Sequence, residues 1–188
     1  MCGAEGVDLV RRRVVQVTRR PASDVKVVVV GDAGAGKSAL VRAFCAQGPF
    51  AAAYEPTIGA DFAARLMEIR GREFRVNVFD VGGDERYAEV RSEFYKDSNG
   101  VLLVFDVTSR RSFQNLDQWM TEVTKNSQGG AALPCAVVAA KVEATPRAVS
   151  EQEARGWASG RKLEYFEVSA ALALNVEAPF HELARKNA

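Results

Sequence analysis

Cysteine, histidine and net charge are all scarce in this chain. Its 188 residues include three cysteines, Cys2, Cys45 and Cys135, and one histidine. These are too few and too widely spaced for a disulfide framework or a structural zinc site, so a reducing, intracellular and cytoplasmic compartment is expected. The 25 basic and 24 acidic residues nearly cancel, leaving a formal charge of +1. No global basic excess exists to hold a nucleic-acid backbone, so any anion must be bound at a local site. Apolar runs such as Val27–Val30 and Val101–Phe105 fall far short of the roughly 20 residues a membrane-spanning helix needs. Gly3 follows Cys2 rather than Met1, one place too late for myristoylation, and no cysteine follows Cys135, so no lipid anchor is expected on this chain. Six prolines and 15 glycines beside 47% apolar residues exclude collagen-like and disordered classes.

What is present reads as a short extension followed by one domain. Residues 1–24 carry Arg11, Arg12, Arg13, Arg19 and Arg20 among apolar residues and end near Pro21-Ala22-Ser23. A solvated arm is expected there, with weak contact to acidic membranes as the alternative. From Val25 onward strands and helices alternate. Val25–Val30 and Val101–Val107 are continuous β-branched and aliphatic runs suited to strands buried on both faces. Asp61–Ile69 and Glu73–Phe79, joined by Arg70-Gly71-Arg72, suggest an antiparallel hairpin. Cys135–Ala140 and Leu163–Val168 supply two further strands. Helices are expected from Lys37, through Phe113, Leu116, Met120 and Val123, over about 150–160, and from about Pro179 onward. Residues 25–188 therefore form an α/β, doubly wound domain with six strands, one antiparallel edge and about five helices, its ligand at the carboxyl ends of the strands.

The first strand runs into Gly31-Asp32-Ala33-Gly34-Ala35-Gly36-Lys37-Ser38, a phosphate-loop motif in the required strand-loop-helix context. Small residues let consecutive backbone N–H groups turn inward on phosphate oxygens, and the helix N-terminus adds its partial positive charge. Lys37 would reach the β- and γ-phosphates, Ala39 would follow at the helix start, and the Ser38 hydroxyl would be one Mg²⁺ ligand. Pro56-Thr57-Ile58-Gly59 precedes the second strand, where Thr57 could complete the metal shell. Asp80-Val81-Gly82-Gly83 follows the third, where Asp80 could hold a metal-bound water and the Gly83 N–H could meet the γ-phosphate.

These stretches, with Phe79–Tyr87 and Leu103–Trp119, resemble the small GTPases of the Ras superfamily over about residues 24–187, and most of all the Rab branch. Phe94-Tyr95-Lys96-Asp97 is similar to the Rab-like subfamily called RJL, some of whose members carry a J domain; His181 lacks the Pro-Asp that would mark one here. The resemblance implies a P-loop NTPase fold, GTP/GDP and Mg²⁺ as ligands, and effectors met by Tyr87, Val90 and Phe94 on the second switch helix. It also implies that Tyr54 lies over the phosphates and that Phe50 packs against the base, although Phe50 reads equally well as core.

Three departures qualify that resemblance. The guanine-reading Asn-Lys-x-Asp is replaced by Ala140-Lys141-Val142-Glu143. Glu143 could accept from the guanine N1 and N2 hydrogens and the Lys141 stem could cover the ring, but the lost amide should cost on the order of 1 kcal/mol. Ser169-Ala170 keeps the pair whose backbone would meet guanine O6, while Ala171 stands where lysine is usual. Finally, Asp84 replaces the glutamine that orients the attacking water, which predicts slow hydrolysis with Lys37, Thr57, Gly83 and Asp84 as the reacting-site residues. The expectation is a guanine-nucleotide switch in trafficking or signalling, its placement peripheral to membranes or nuclear left open. The alternative is a non-cycling scaffold that partners recognise in one state.

Overall fold

The computed structural model describes residues 23–45 and 57–188. In chain order the elements are β1 Ser23–Val30, α1 Lys37–Cys45, β2 Ala60–Ile69, β3 Arg72–Val81, α2 Ala88–Tyr95, β4 Gly100–Asp106 and α3 Arg110–Gln114. Then follow α4 Leu116–Asn126, β5 Cys135–Ala140, α5 Glu151–Gly160, β6 Glu164–Glu167 and α6 Ala178–Lys186. Short 3₁₀ turns lie at Glu85–Tyr87 and Gly130–Ala132. The six strands form one sheet in the order β2-β3-β1-β4-β5-β6. Only β2 and β3 pair antiparallel; the other neighbours are parallel. This is the doubly wound sheet with one antiparallel edge strand expected from the sequence.

The hairpin turn is made by Arg70 and Gly71, both at positive φ (52° and 74°), the backbone a two-residue turn needs to match the strand twist. Two boundaries differ from expectation. Ser23 and Asp24 belong to β1, because they extend its parallel ladder onto Phe74 and Arg75; Ser23 is strand rather than separator. The amphipathic segment through Phe113 and Val123 breaks at Asn115 into α3 and α4. Counting that pair as one interrupted helix restores the five expected. The arginine-rich residues 1–22, and with them the flexible-arm expectation, lie outside the described residues, as do Phe50, Tyr54 and Pro56.

Alternation along β1 sorts its side chains onto two cores. Val25, Val27 and Val29 pack with Leu40, Phe44, Phe180 and Leu183 of α1 and α6. Val28 and Val30 face the other way, with Leu103, Phe105, Leu116, Trp119 and Ala158 around α4 and α5. Phe44 and Phe180 stack with ring centroids 3.9 Å apart, locking α1 against α6. With both faces covered, β4 is buried at every position, as a central parallel strand must be. The consequence is positional: loops after β1, β3, β5 and β6 gather at one end of the sheet.

Two glycines of the first loop separate steric from conformational cost. Gly31 has φ +145°, and a Cβ there would sit 2.1 Å from the Val104 carbonyl oxygen of β4. Gly34 has φ +78° with open space around a would-be Cβ. Gly34→Ala should therefore cost about 1 kcal/mol, from backbone strain alone, and Gly31→Ala about 3 kcal/mol or more. Urea denaturation measures both; equal losses would refute the role assigned to the β4 carbonyl.

Candidate phosphate and nucleotide site

The loop from Gly31 to Gly36 turns β1 into α1, with the Ala35 N–H donating to Asp32 O at 3.1 Å and the Leu40 N–H donating to Gly36 O at 2.9 Å. Lys37, the first residue of α1, is only 6% exposed. Its Nζ donates to the Gly31 and Asp32 carbonyls at 2.8 and 2.9 Å. Burial pushes its pKa down to about 8, against the opposing pull of Asp80 and Asp32, while Arg91 lowers it further. A cation held inside a loop rich in backbone amides is a site prepared for a polyanion.

Three oxygen-bearing side chains meet beside that lysine. The Ser38 and Thr57 hydroxyl oxygens are 3.0 Å apart, and the Thr57 hydroxyl donates to Asp80 Oδ2 at 3.4 Å. Asp80 ends β3 buried, and its Oδ1 has no hydrogen-bond partner among the described residues. Burial raises the Asp80 pKa, offset in part by the Ser38 hydroxyl and the Lys37 ammonium. An orphaned carboxylate oxygen next to two hydroxyls is a donor set for a small hard dication that keeps several waters. The residues fit Mg²⁺.

Gly83 presses on the same loop: a Cβ there would lie 2.5 Å from Gly31 O and 2.6 Å from the Ala33 nitrogen. Only glycine allows that approach. Asp84, next along, spends both carboxylate oxygens on Arg86, with Arg86 N and Nε donating to Oδ1 at 2.9 and 3.0 Å and NH2 to Oδ2 at 2.9 Å. Those bonds hold the Asp84 pKa down to about 2, so the group stays ionised.

On the far side of the loop, Lys141 stands at φ +62° and donates from Nζ to Gly34 O at 2.7 Å and to Asp106 Oδ2 at 2.6 Å. Asp106 also accepts from the Thr108 N–H and hydroxyl. The Ala140 methyl would be 3.3 Å from a Cβ placed on Gly36, so the side chain at position 140, where the family has asparagine, borders the first loop. Ser169 is fully buried and its hydroxyl accepts from the Leu172 N–H, shaping the turn that carries half-buried Ala170. The Val142 N–H donates to Val168 O, tying the two loops together at 3.4 Å. Glu143 is exposed at their edge. Of the second-switch residues, Val90 is exposed, Tyr87 is half-buried, and Phe94 packs on Phe79, which in turn contacts the exposed Phe62.

Sequence reasoning missed the supports of this site. Asp32 accepts from Trp119 Nε1 and Asn115 Nδ2, both at 2.8 Å, and so roots the loop on α4 and the break before it. Asp106 and Arg91 were also missed. A cavity of about 650 Å³ opens among Asp32, Gly83, Arg91, Asn115 and Trp119.

Burying the Lys37 charge for a ligand costs stability in the nucleotide-free chain. Lys37→Met should raise that stability by about 1 kcal/mol at neutral pH while removing nucleotide binding. The folded pKa of about 8 lies below the ordinary 10.5, so between these values the unfolded chain binds more protons and the wild type gains stability as pH rises. The advantage of the methionine variant should accordingly shrink above pH 8. Urea titrations from pH 7 to 10 measure it, and a variant less stable than wild type at pH 7 would contradict the assignment.

Comparison with known proteins bears on the whole arrangement. Residues 26–188 match the family model described as the Ras family. DnaJ homolog subfamily C member 27 of Danio rerio is 44% identical over 151 residues, covering 78% of this chain and 55% of that protein. The Bos taurus protein of the same name is 41% identical over 150 residues, with the same coverage. Ras-related protein Rab-13 of Rattus norvegicus is 34% identical over 160 residues, covering 85% of this chain and 78% of its own length. The chain thus spans about half the length of the DnaJ-named relatives. A phosphate-loop strand-turn-helix, two switch segments against it and a family match across the described sheet lead to one assignment: the chain belongs to the Ras family, as a Rab-like small GTPase.

Proposed function

We propose that this chain is a guanine-nucleotide switch of the trafficking or signalling kind, dependent on Mg²⁺ and slow to hydrolyse GTP. The observation that carries the reading is the convergence of buried Lys37 with Ser38, Thr57 and the orphaned Asp80 oxygen at one mouth of the sheet. Loop amides from Asp32 to Ala39 cradle the phosphates, and Lys37 leaves its two carbonyls for the terminal phosphate oxygens. Ser38 and Thr57, with Asp80 nearby, would hold Mg²⁺, which when bound would supply positive charge to the phosphate oxygens. The Gly83 N–H faces the third phosphate. Lys141, pinned between Gly34 and Asp106, lays its stem along the base, and the Ser169-Ala170 backbone with Glu143 favours guanine. Output passes through the Thr57 segment and the exposed face around Phe62, Val90 and Phe94.

The Asp84–Arg86 clamp supports slow turnover. A carboxylate whose oxygens are already taken neither orients a water nor donates to the transition state. The non-cycling scaffold reading draws on the same clamp and on Ala140, and one assay separates the two. Single-turnover GTP hydrolysis by wild type should be measurable and roughly tenfold slower than by Asp84→Gln, which restores a neutral amide. A wild type as fast as the variant would leave Asp84 as a working group; no hydrolysis by either protein would favour the scaffold.

A further inference from the structure

The segment after β3 is tied to the body of the protein by a buried arginine. Arg91 of α2 is 2% exposed. Its Nε and NH2 donate to Glu122 Oε1 and Oε2 of α4 at 2.8 and 3.0 Å, a forked pair, and Tyr95 Oη donates to the same carboxylate at 2.7 Å. The remaining nitrogen, NH1, reaches back along the chain and donates to the carbonyls of Gly82 and Asp84 at 2.9 and 2.5 Å. Those two carbonyls bracket Gly83. The guanidinium also lies 4.8 Å from the centre of the Trp119 ring, whose Nε1 holds Asp32 of the phosphate loop.

A planar fork that fills one carboxylate while its third nitrogen grips two backbone oxygens has little freedom left. Because Glu122 is set on α4, the fork sets the height and tilt of Gly83 against the loop. We propose that Arg91 is a positioning residue: anchored by Glu122 and Trp119, it presets the Gly83 N–H for the terminal phosphate and links that amide to Asp32 through protein contacts alone. The inference rests on the functional reading above, in which Gly83 meets the third phosphate. It gives Arg91 a role specific to the triphosphate, since a diphosphate has no group at that place. A merely structural arginine would steady α2 and treat both nucleotides alike.

The test uses the full chain carrying R91Q or E122Q, with thermal unfolding to check folding. Affinities for GTPγS and GDP are measured with Mg²⁺, and backbone amide exchange is followed at residues 82–87. Losing one anchored carbonyl contact should lower the ratio of GTPγS to GDP affinity by about tenfold, with GDP affinity held within about twofold, and speed exchange at 82–87 by about tenfold. If R91Q does not fold, E122Q, which keeps the shape of the carboxylate, decides. Equal weakening of both nucleotides, an unchanged ratio, or unchanged exchange at 82–87 overturns the inference. A wild type that binds neither nucleotide instead overturns the functional reading, and the exchange measurement still decides whether Arg91 holds the segment.

Discussion

A buried ammonium organises this molecule. Lys37 sits at the start of α1 with its charge shut away from water and answered by two loop carbonyls and the nearby Asp80 and Asp32. Such a group is costly unless a stronger anion joins it. The sheet around it is built to keep that geometry: Gly31 passes under β4 with no room for a side chain, Gly83 closes over the loop, and Asp32 is fastened to α4 by Trp119 and Asn115. The same framework that buries this charge is what a polyphosphate would find ready.

The departures from the family pattern read differently once their neighbours are known. Asp84 is negative, but Arg86 answers its charge and occupies its oxygens, so in the proposed slow hydrolysis Asp84 acts as a group already engaged more than by simple repulsion. In the loop after β5, Ala140 borders Gly36 while Lys141 carries the connection between loops through Gly34 and Asp106. The salt bridge from Lys141 to Asp106 therefore joins this loop to the end of β4.

How much of this was legible in the sequence follows from the range of each interaction. The phosphate loop, the strands and the hairpin rest on contiguous patterns, and runs such as Val27–Val30 or the Arg70-Gly71 turn announce their backbone directly. The supports do not, because Asp32 with Trp119, Arg91 with Glu122 and Lys141 with Asp106 are separated by 87, 31 and 35 residues. No spacing rule joins them; they exist only after the sheet order has brought α2, α4 and the β5 loop beside the first loop. The break at Asn115 was hidden for a related reason, since a residue that bonds Asp32 from another element looks, in sequence, like any polar position on a helix.

The central claim is that the charged loop and the adjoining oxygen set form a guanine-nucleotide site. The most direct measurement is calorimetric titration of the wild-type chain with GTPγS and ATPγS, each with Mg²⁺ and with chelator. The account predicts that GTPγS binds more tightly than ATPγS and that chelator weakens the triphosphate strongly, because Ser38, Thr57 and Asp80 then lose the ion that joins them to the phosphates. Equal affinity for the two nucleotides, or binding indifferent to Mg²⁺, would contradict it.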